Sequence, residues 1–389
     1  MPSELPSAAQ LLGKEVTFFS MDTNVIQGAG YRFDSGKLAT LALQRPPWLK
    51  CLLTEVVERE VTAHRMKPVI EASRQIQSAS RDLARVAGLD MSNVDAAIQT
   101  LDIENAAAKT FAAQQRTFLQ RVGGSVLPIE GAHLAKEMFS RYFECRPPFE
   151  IRKKDEFPDA AALLVLEQYA KKHKTKGLLI SDDGGWRMFA DQSEHLYCVR
   201  SLDDFTALFV STGPNADELR NKISAALADT ASPLNSDLAD RMQDHLSSSF
   251  WDTDELYSGF NVRLEGEVFD SSISNYEVDP DSLGLWLVES DPTKCVVEFT
   301  ATVFVELMVQ VEFFQPDWVD GDEVNIGSDE VSRKAEVEVE ILLTCSADLL
   351  NEPVSEWDLE FEFVEKTYSV HVGEVNPDYS YDEEYDPDR

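Results

Sequence analysis

The chain has 389 residues, 43% of them hydrophobic and 10% aromatic, which suits two or three cored domains and excludes a disordered chain. Its formal net charge is -35, from 35 Lys+Arg against 70 Asp+Glu, which excludes nucleic-acid binding through an overall basic field. The excess is unevenly placed: residues 1–200 carry 26 basic and 25 acidic side chains, whereas residues 201–389 carry 9 and 45. Five scattered cysteines (Cys51, Cys145, Cys198, Cys295, Cys345) include no CxxC pair. Neither a disulfide framework nor a structural zinc site is therefore expected, and reduced thiols fit a cytoplasmic protein. The opening MPSELPSAAQLLGKE lacks the basic-then-apolar pattern of a signal peptide. The longest apolar run of the acidic half, residues 295–314, is interrupted by Glu298, Glu306 and Glu312. Three carboxylates are too many for a membrane span, so a soluble protein without a membrane partner is expected.

In chain order, residues 16–20 (VTFFS) read as a buried strand ending at Asp22-Thr23-Asn24. A helix over 35–44 follows, Pro46-Pro47 breaks the chain, and residues 48–53 supply a second strand. Thr54 caps the next helix, with Glu55, Glu58 and Glu60 in its first turns. That helix and another over 92–121 are long and polar with Ala-rich faces, as befits a helical insertion at the surface. Residues 131–144 form an amphipathic helix, and Pro158 favours the start of a further helix over 157–172. Strand 177–181, helix 184–190, strand 196–199 and helix 202–210 then alternate, the pattern of a parallel sheet in an α/β domain. Ser211-Thr212-Gly213-Pro214 punctuates its end, and residues 215–249 read as two polar helices. From residue 250 the period changes to two. Val337, Val339 and Ile341 alternate with Glu336, Glu338 and Glu340, and WDLEFEF at 357–363 repeats the pattern. A mainly antiparallel sheet with one charged face is expected. The organisation expected is an α/β domain over 1–213, a helical connector over 214–249, an acidic β-rich domain over 250–376 and an acidic disordered tail over 377–389.

Four carboxylates stand at element ends: Asp22 after the first strand, Glu60 in the helix after the second, Asp159 at a helix start, and Asp183 after strand 177–181. In an open parallel sheet the carboxyl ends of the strands line one crevice, so residues this far apart in sequence can meet. Gathered carboxylates repel one another, and the chemistry that suits them is holding a hard divalent cation such as Mg2+ or Mn2+. Such an ion can activate water against a phosphodiester. No GxGxxG or GxxxxGK[ST] occurs, and no His pairs with Ser or Cys at a motif spacing, so dinucleotide, P-loop and acyl-transfer chemistries are unsupported. Each acid also has an ordinary structural role open to it. Asp22 suits a turn, Asp159 offsets a helix dipole, and Asp182-Asp183-Gly184-Gly185 suits a turn.

FFSMDTNV at 18–25, LTEVVEREVTAH at 53–64, KKDEFPDAA at 153–161 and LLISDDGGW at 178–186 together resemble the PIN-domain nucleases in order, spacing and placement. The likeness is greatest to the PIN-like branch with long helical insertions, and it covers residues 16–210, roughly half the chain. It implies a PIN-like parallel sheet flanked by helices and a metal-dependent endoribonuclease site. The family's acids fall on Asp22, Glu60, Asp159 and Asp183, as catalytic ligands of Mg2+ or Mn2+, with Asn24, Ser181 and Asp182 in support. Asp182 stays open as an alternative to Asp183, and Asp155 and Glu156 closely precede Asp159. Glu55 and Glu58 neighbour Glu60, although Glu58 and Glu60 leave a helix on different sides. Arg152, Lys153 and Lys154, just before the third acid, are expected to bind the phosphate backbone of the RNA substrate. Residues 171–176, also Lys-rich, read equally well as a solvated helix end. Trp48, Tyr169 and Trp186 read as packing residues.

In the acidic half, Trp251, Trp286, Trp318 and Trp357 read as core or interface residues. Its charged face is expected to serve solubility, to bind a basic protein partner, or to mask the basic groove of the first domain. The function expected is an endoribonuclease hydrolysing RNA phosphodiesters, with a toxin or phage-defence effector as the setting that analogy suggests. The alternative is a catalytically inactive PIN-like scaffold that binds a protein or RNA through the acidic β domain.

Overall fold

The computed structural model describes residues 5–131, 133–150, 156–316 and 323–377. Arg152, Lys153, Lys154 and Asp155 lie outside these residues, as do Trp318 and the tail from residue 378 onward. The chain divides into two compact units, Met1–Ser211 with Trp286–Val296, and Thr212–Leu285 with Val297–Arg389.

The first unit runs α1 (Ala8–Leu12), β1 (Val16–Met21), α2 (Thr23–Gly28), α3 (Gly36–Gln44), β2 (Lys50–Thr54), α4 (Glu55–Ala87), α5 (Ser92–Leu101), α6 (Ile103–Arg121), β3 (Ser125–Leu127), α7 (Leu134–Phe143), α8 (Phe157–His173), β4 (Lys176–Ile180), α9 (Gly184–Gln192), β5 (Leu196–Val199) and α10 (Leu202–Ala207). The five strands pair in parallel in the order β3-β2-β1-β4-β5. Helices cover both faces, so the strands are near-continuous apolar runs: Phe18, Phe19 and Met21 in β1 and Leu178, Leu179 and Ile180 in β4 are all buried. Buried on most of its circumference, from Ala160 through Glu167, α8 carries no polar stripe. The sheet is built outward from β1 to β3, then the chain returns to the other side of β1 to lay down β4 and β5. The strand order therefore reverses between β1 and β4, where an α/β sheet opens its ligand crevice.

Thr54 accepts the amide of Val57 (3.4 Å) and starts α4, a helix of 33 residues. It passes through Pro68, which has no N–H for the carbonyl of His64. Packing holds it nonetheless: Val57, Val61, Ser73 and Ser80 are buried, and the Arg65 guanidinium lies 3.8 Å from the Phe111 ring centre on α6. The helix expected over 92–121 is two helices, parted at Asp102, whose φ of +43° is a left-handed conformation that Asp tolerates better than most residues. With three residues, β3 is too short to show a period in the sequence. Residues of the later chain complete this unit: the Trp286 indole N–H donates to the Thr206 carbonyl (3.0 Å), and the Leu287 amide donates to Ser211 Oγ (2.9 Å).

The second unit contains α11 (Pro214–Ala228), α12 (Pro233–Ser248), β6 (Trp251–Tyr257), β7 (Arg263–Val278), β8 (Gly284–Leu287, which runs across the division), β9 (Lys294–Pro316), β10 (Glu323–Ser346), β11 (Asp358–Phe363) and β12 (Tyr368–Glu374). Each helix buries one stripe, Leu219, Ile223 and Leu227 on α11 and Leu234, Leu238, Met242 and Leu246 on α12. The sheet order is β11-β10-β9-β7, with β8 beside β9. The β7–β9 and β10–β11 pairs are antiparallel, whereas β12 and β6 form a separate parallel pair. The period of two is visible in β9, where Val303, Val305, Leu307, Val309, Val311 and Phe313 are buried and Glu306 is exposed between them. Among the described residues, no helix is long and apolar enough to cross a membrane.

Candidate functional site

At the β1–β4 switch point the ladder continues one step past the strand: the Asp22 amide donates to the Ile180 carbonyl (3.0 Å). That places Asp22 beside the Ser181-Asp182-Asp183 turn. Asp22 is 4% exposed, and although it begins α2, its carboxylate does not cap that helix. Instead Oδ2 accepts the Ser181 hydroxyl (2.7 Å) and the Asn24 amide (3.3 Å). Burial pushes the Asp22 carboxyl up to about 6, the nearby charges of Asp159 and Asp183 push the same way, and the Ser181 hydrogen bond opposes them.

Ser181 is fully buried and bridges the two strand ends: its Oγ also accepts the Asp183 amide (3.1 Å). Ser181→Ala strands a buried carboxylate oxygen and a backbone donor together. The expected result is a loss of about 1–3 kcal/mol in urea unfolding of the metal-free protein at pH 7. An unchanged midpoint would show that water replaces the hydroxyl.

The other acids are each held by a neighbour. Glu60, on the first turns of α4, accepts the Thr23 hydroxyl at Oε2 (2.8 Å), so the residue next to Asp22 fixes the second acid. Glu55 is engaged elsewhere, with Arg59 (2.5 Å) and the Ile129 amide (3.0 Å). Asp159, in the first turn of α8, accepts the Trp186 indole N–H at Oδ1 (2.8 Å). Asp183 does cap its helix: Oδ1 accepts the amides of Gly185 (2.6 Å) and Trp186 (3.3 Å). A Cβ at Gly185 would sit 2.9 Å from that oxygen, which accounts for the glycine. Asp182 is exposed, and Asp183 is the residue folded against the turn. Thr23 and Trp186 are the site residues that sequence reasoning missed. Trp186 is indeed fully buried packing, yet its one polar atom is spent on Asp159. Thr23→Val keeps the shape and releases Glu60. On the nuclease reading proposed below, cleavage is expected to fall about tenfold with an unchanged melting temperature, in the range typical of lost support to a metal-ligating side chain.

Residues 20–186 match the family model of the PIN domain. This segment is a PIN domain. The match spans all four acids, from two residues before Asp22 to Trp186. No curated protein matches the chain. PIN domains are generally nucleases and typically use divalent metal ions. The donor chemistry of this PIN domain suits such an ion. Its candidate ligands are hard oxygens, and the side-chain hydrogen bonds to Asp22, Glu60 and Asp159 each fall on one carboxylate oxygen. Asp22 also carries a like-charge penalty that a cation reverses. Among the described residues, no three His, Cys, Asp or Glu side chains already stand grouped as a metal site. The four acids are each held by a neighbour without being drawn together into such a group.

Proposed function

We propose that this PIN domain is a metal-dependent endoribonuclease that hydrolyses RNA phosphodiesters, with Asp22, Glu60, Asp159 and Asp183 holding one or two Mg2+ or Mn2+ ions. The observation that carries the reading is Asp22, a carboxylate at the sheet's switch point made hard to ionise by burial, with the charges of Asp159 and Asp183 adding to the effect. A bound ion supplies Lewis acidity at a phosphoryl oxygen and acidifies its water towards neutral pH. The chain's own part is orientation: Ser181 and Asn24 set Asp22, Thr23 sets Glu60, Trp186 sets Asp159 and the first amides of α9 set Asp183. Arg152, Lys153 and Lys154, a few residues before α8 in sequence, are proposed to bind the RNA backbone.

The ungrouped acids favour a second reading, an inactive PIN-like scaffold. Asp183→Asn separates the two, because Asn caps a helix as well as Asp while its charge is gone. Loss of Mn2+-dependent RNA cleavage with an unchanged melting temperature supports the nuclease. A wild-type chain inert on every RNA tested supports the scaffold.

A further inference from the structure

Glu60 lies near the start of α4, and the same helix face continues far beyond it. At 3.6 residues per turn, positions 64, 67, 74, 81 and 85 stay within about 60° of Glu60. They hold His64, Lys67, Arg74, Arg81 and Arg85, all exposed. Glu71 and Asp82 are the acidic residues on this stripe, and Asp82 already pairs with Arg85 (2.9 Å). The buried Ser73 and Ser80 lie on the far side, where Ser80 donates to Asp95 of α5 (2.7 Å), so the basic face is fixed outward. Among the described residues, Lys67 and Arg74 enter no ion pair. Solubility does not account for these cations in a chain of net charge -35.

We propose that this face of α4 is a rail for the phosphate backbone of RNA, leading away from the carboxylate site. The ligand class rests on the nuclease reading above. From Glu60 to Arg85 the helix rises about 37 Å, which matches about eleven stacked nucleotides at about 3.4 Å each. The favoured substrate is thus an RNA segment longer than about ten nucleotides, gripped through phosphates without regard to sequence.

The test is binding by the full chain in EDTA, read by fluorescence anisotropy against salt concentration, with single-stranded RNAs of about 6 and about 20 nucleotides, lengths set below and above the span of the rail. Lys67→Gln/Arg74→Gln/Arg81→Gln is expected to weaken the longer RNA at least about tenfold and to flatten its salt slope by about 2, at about 0.7 per lost phosphate contact. The shorter RNA should change less than about twofold, since it contacts few of these phosphates. Glu71→Lys, which completes the stripe, should tighten the longer RNA by about two- to fivefold and keeps the test decisive if the triple variant perturbs the helix. An unchanged slope, an equal loss on both lengths, or no binding by the wild type overturns the rail. Cleavage is measured separately with Mn2+, so an inert wild type counts against the nuclease reading while the EDTA binding still decides the rail.

Discussion

Asp22→Asn is expected to stabilise the metal-free protein at pH 7 while abolishing cleavage. The carboxyl has its ordinary value of 3.8 in the unfolded chain and about 6 in the native state, so the native state binds the proton more tightly. Below about pH 4 the group is protonated in both states and burial carries no charge penalty; as pH rises through about 6 the fold must bury an anion, and stability falls. A shift of about two units corresponds to about 3 kcal/mol at pH 7. Asn is neutral throughout and still accepts the Ser181 hydroxyl, so the variant should gain up to that amount at pH 7 and close to nothing at pH 4. Urea midpoints at the two pH values check the sign. Mn2+ at about 100 times its Kd should stabilise the wild type by about 2.7 kcal/mol and the variant by much less. RNA cleavage should fall at least about 100-fold, the upper end of what lost support to a metal-ligating side chain costs. A variant that keeps the wild type's stability fall between pH 4 and 7, or that still cleaves, would remove Asp22 from the site.

Gly177→Ala should be the most damaging small change in the PIN domain. Gly177 sits in β4 directly across from Phe18 of β1, whose ring lies over it. An added Cβ would meet ring carbons at 2.2, 2.4 and 2.8 Å, all below any real contact. The ring cannot retreat easily: Phe18 is 1% exposed and packs edge-on against Tyr169 at 5.2 Å. Overpacking of this kind costs about 3 kcal/mol. At about 2–4 °C per kcal/mol, the melting temperature should drop by roughly 6–12 °C. Phe18→Leu in the same chain should recover part of the loss, giving a coupling energy of about 1 kcal/mol or more in a double-mutant cycle. A full, unchanged melting temperature for Gly177→Ala alone would mean that β1 and β4 can part, and the crevice above them with it.

Much of this architecture is legible in the residues because it depends on local pattern. VTFFS and LLIS are buried strands since helices cover both faces of the sheet, and AEVEVEILL alternates because its sheet has one charged face. The four acids stand out as residues at element ends. What the sequence does not carry is the set of contacts made across distance. Nothing near Trp186 signals that its indole will reach Asp159, 27 residues earlier, and nothing near Thr23 signals Glu60. The break at Asp102 was hidden because Asp is an ordinary residue in a polar helix until its φ turns positive. The parallel pairing of β12 with β6 joins strands more than a hundred residues apart, and alternation alone does not fix strand direction.

The indole of Trp286 has a consequence for how the protein is made. The carbonyl it donates to belongs to Thr206, and both lie in the first unit. A ribosome delivers the chain from its N-terminus, so the Thr206 carbonyl, which already accepts the Phe209 amide (2.9 Å), gains this second donor only after some eighty further residues, synthesised at about 5–20 residues per second. For several seconds the first unit lacks residues 286–296. A chain released early, anywhere between residues 211 and 286, lacks that donor for good. Completion of this unit is thereby tied to synthesis of the acidic half.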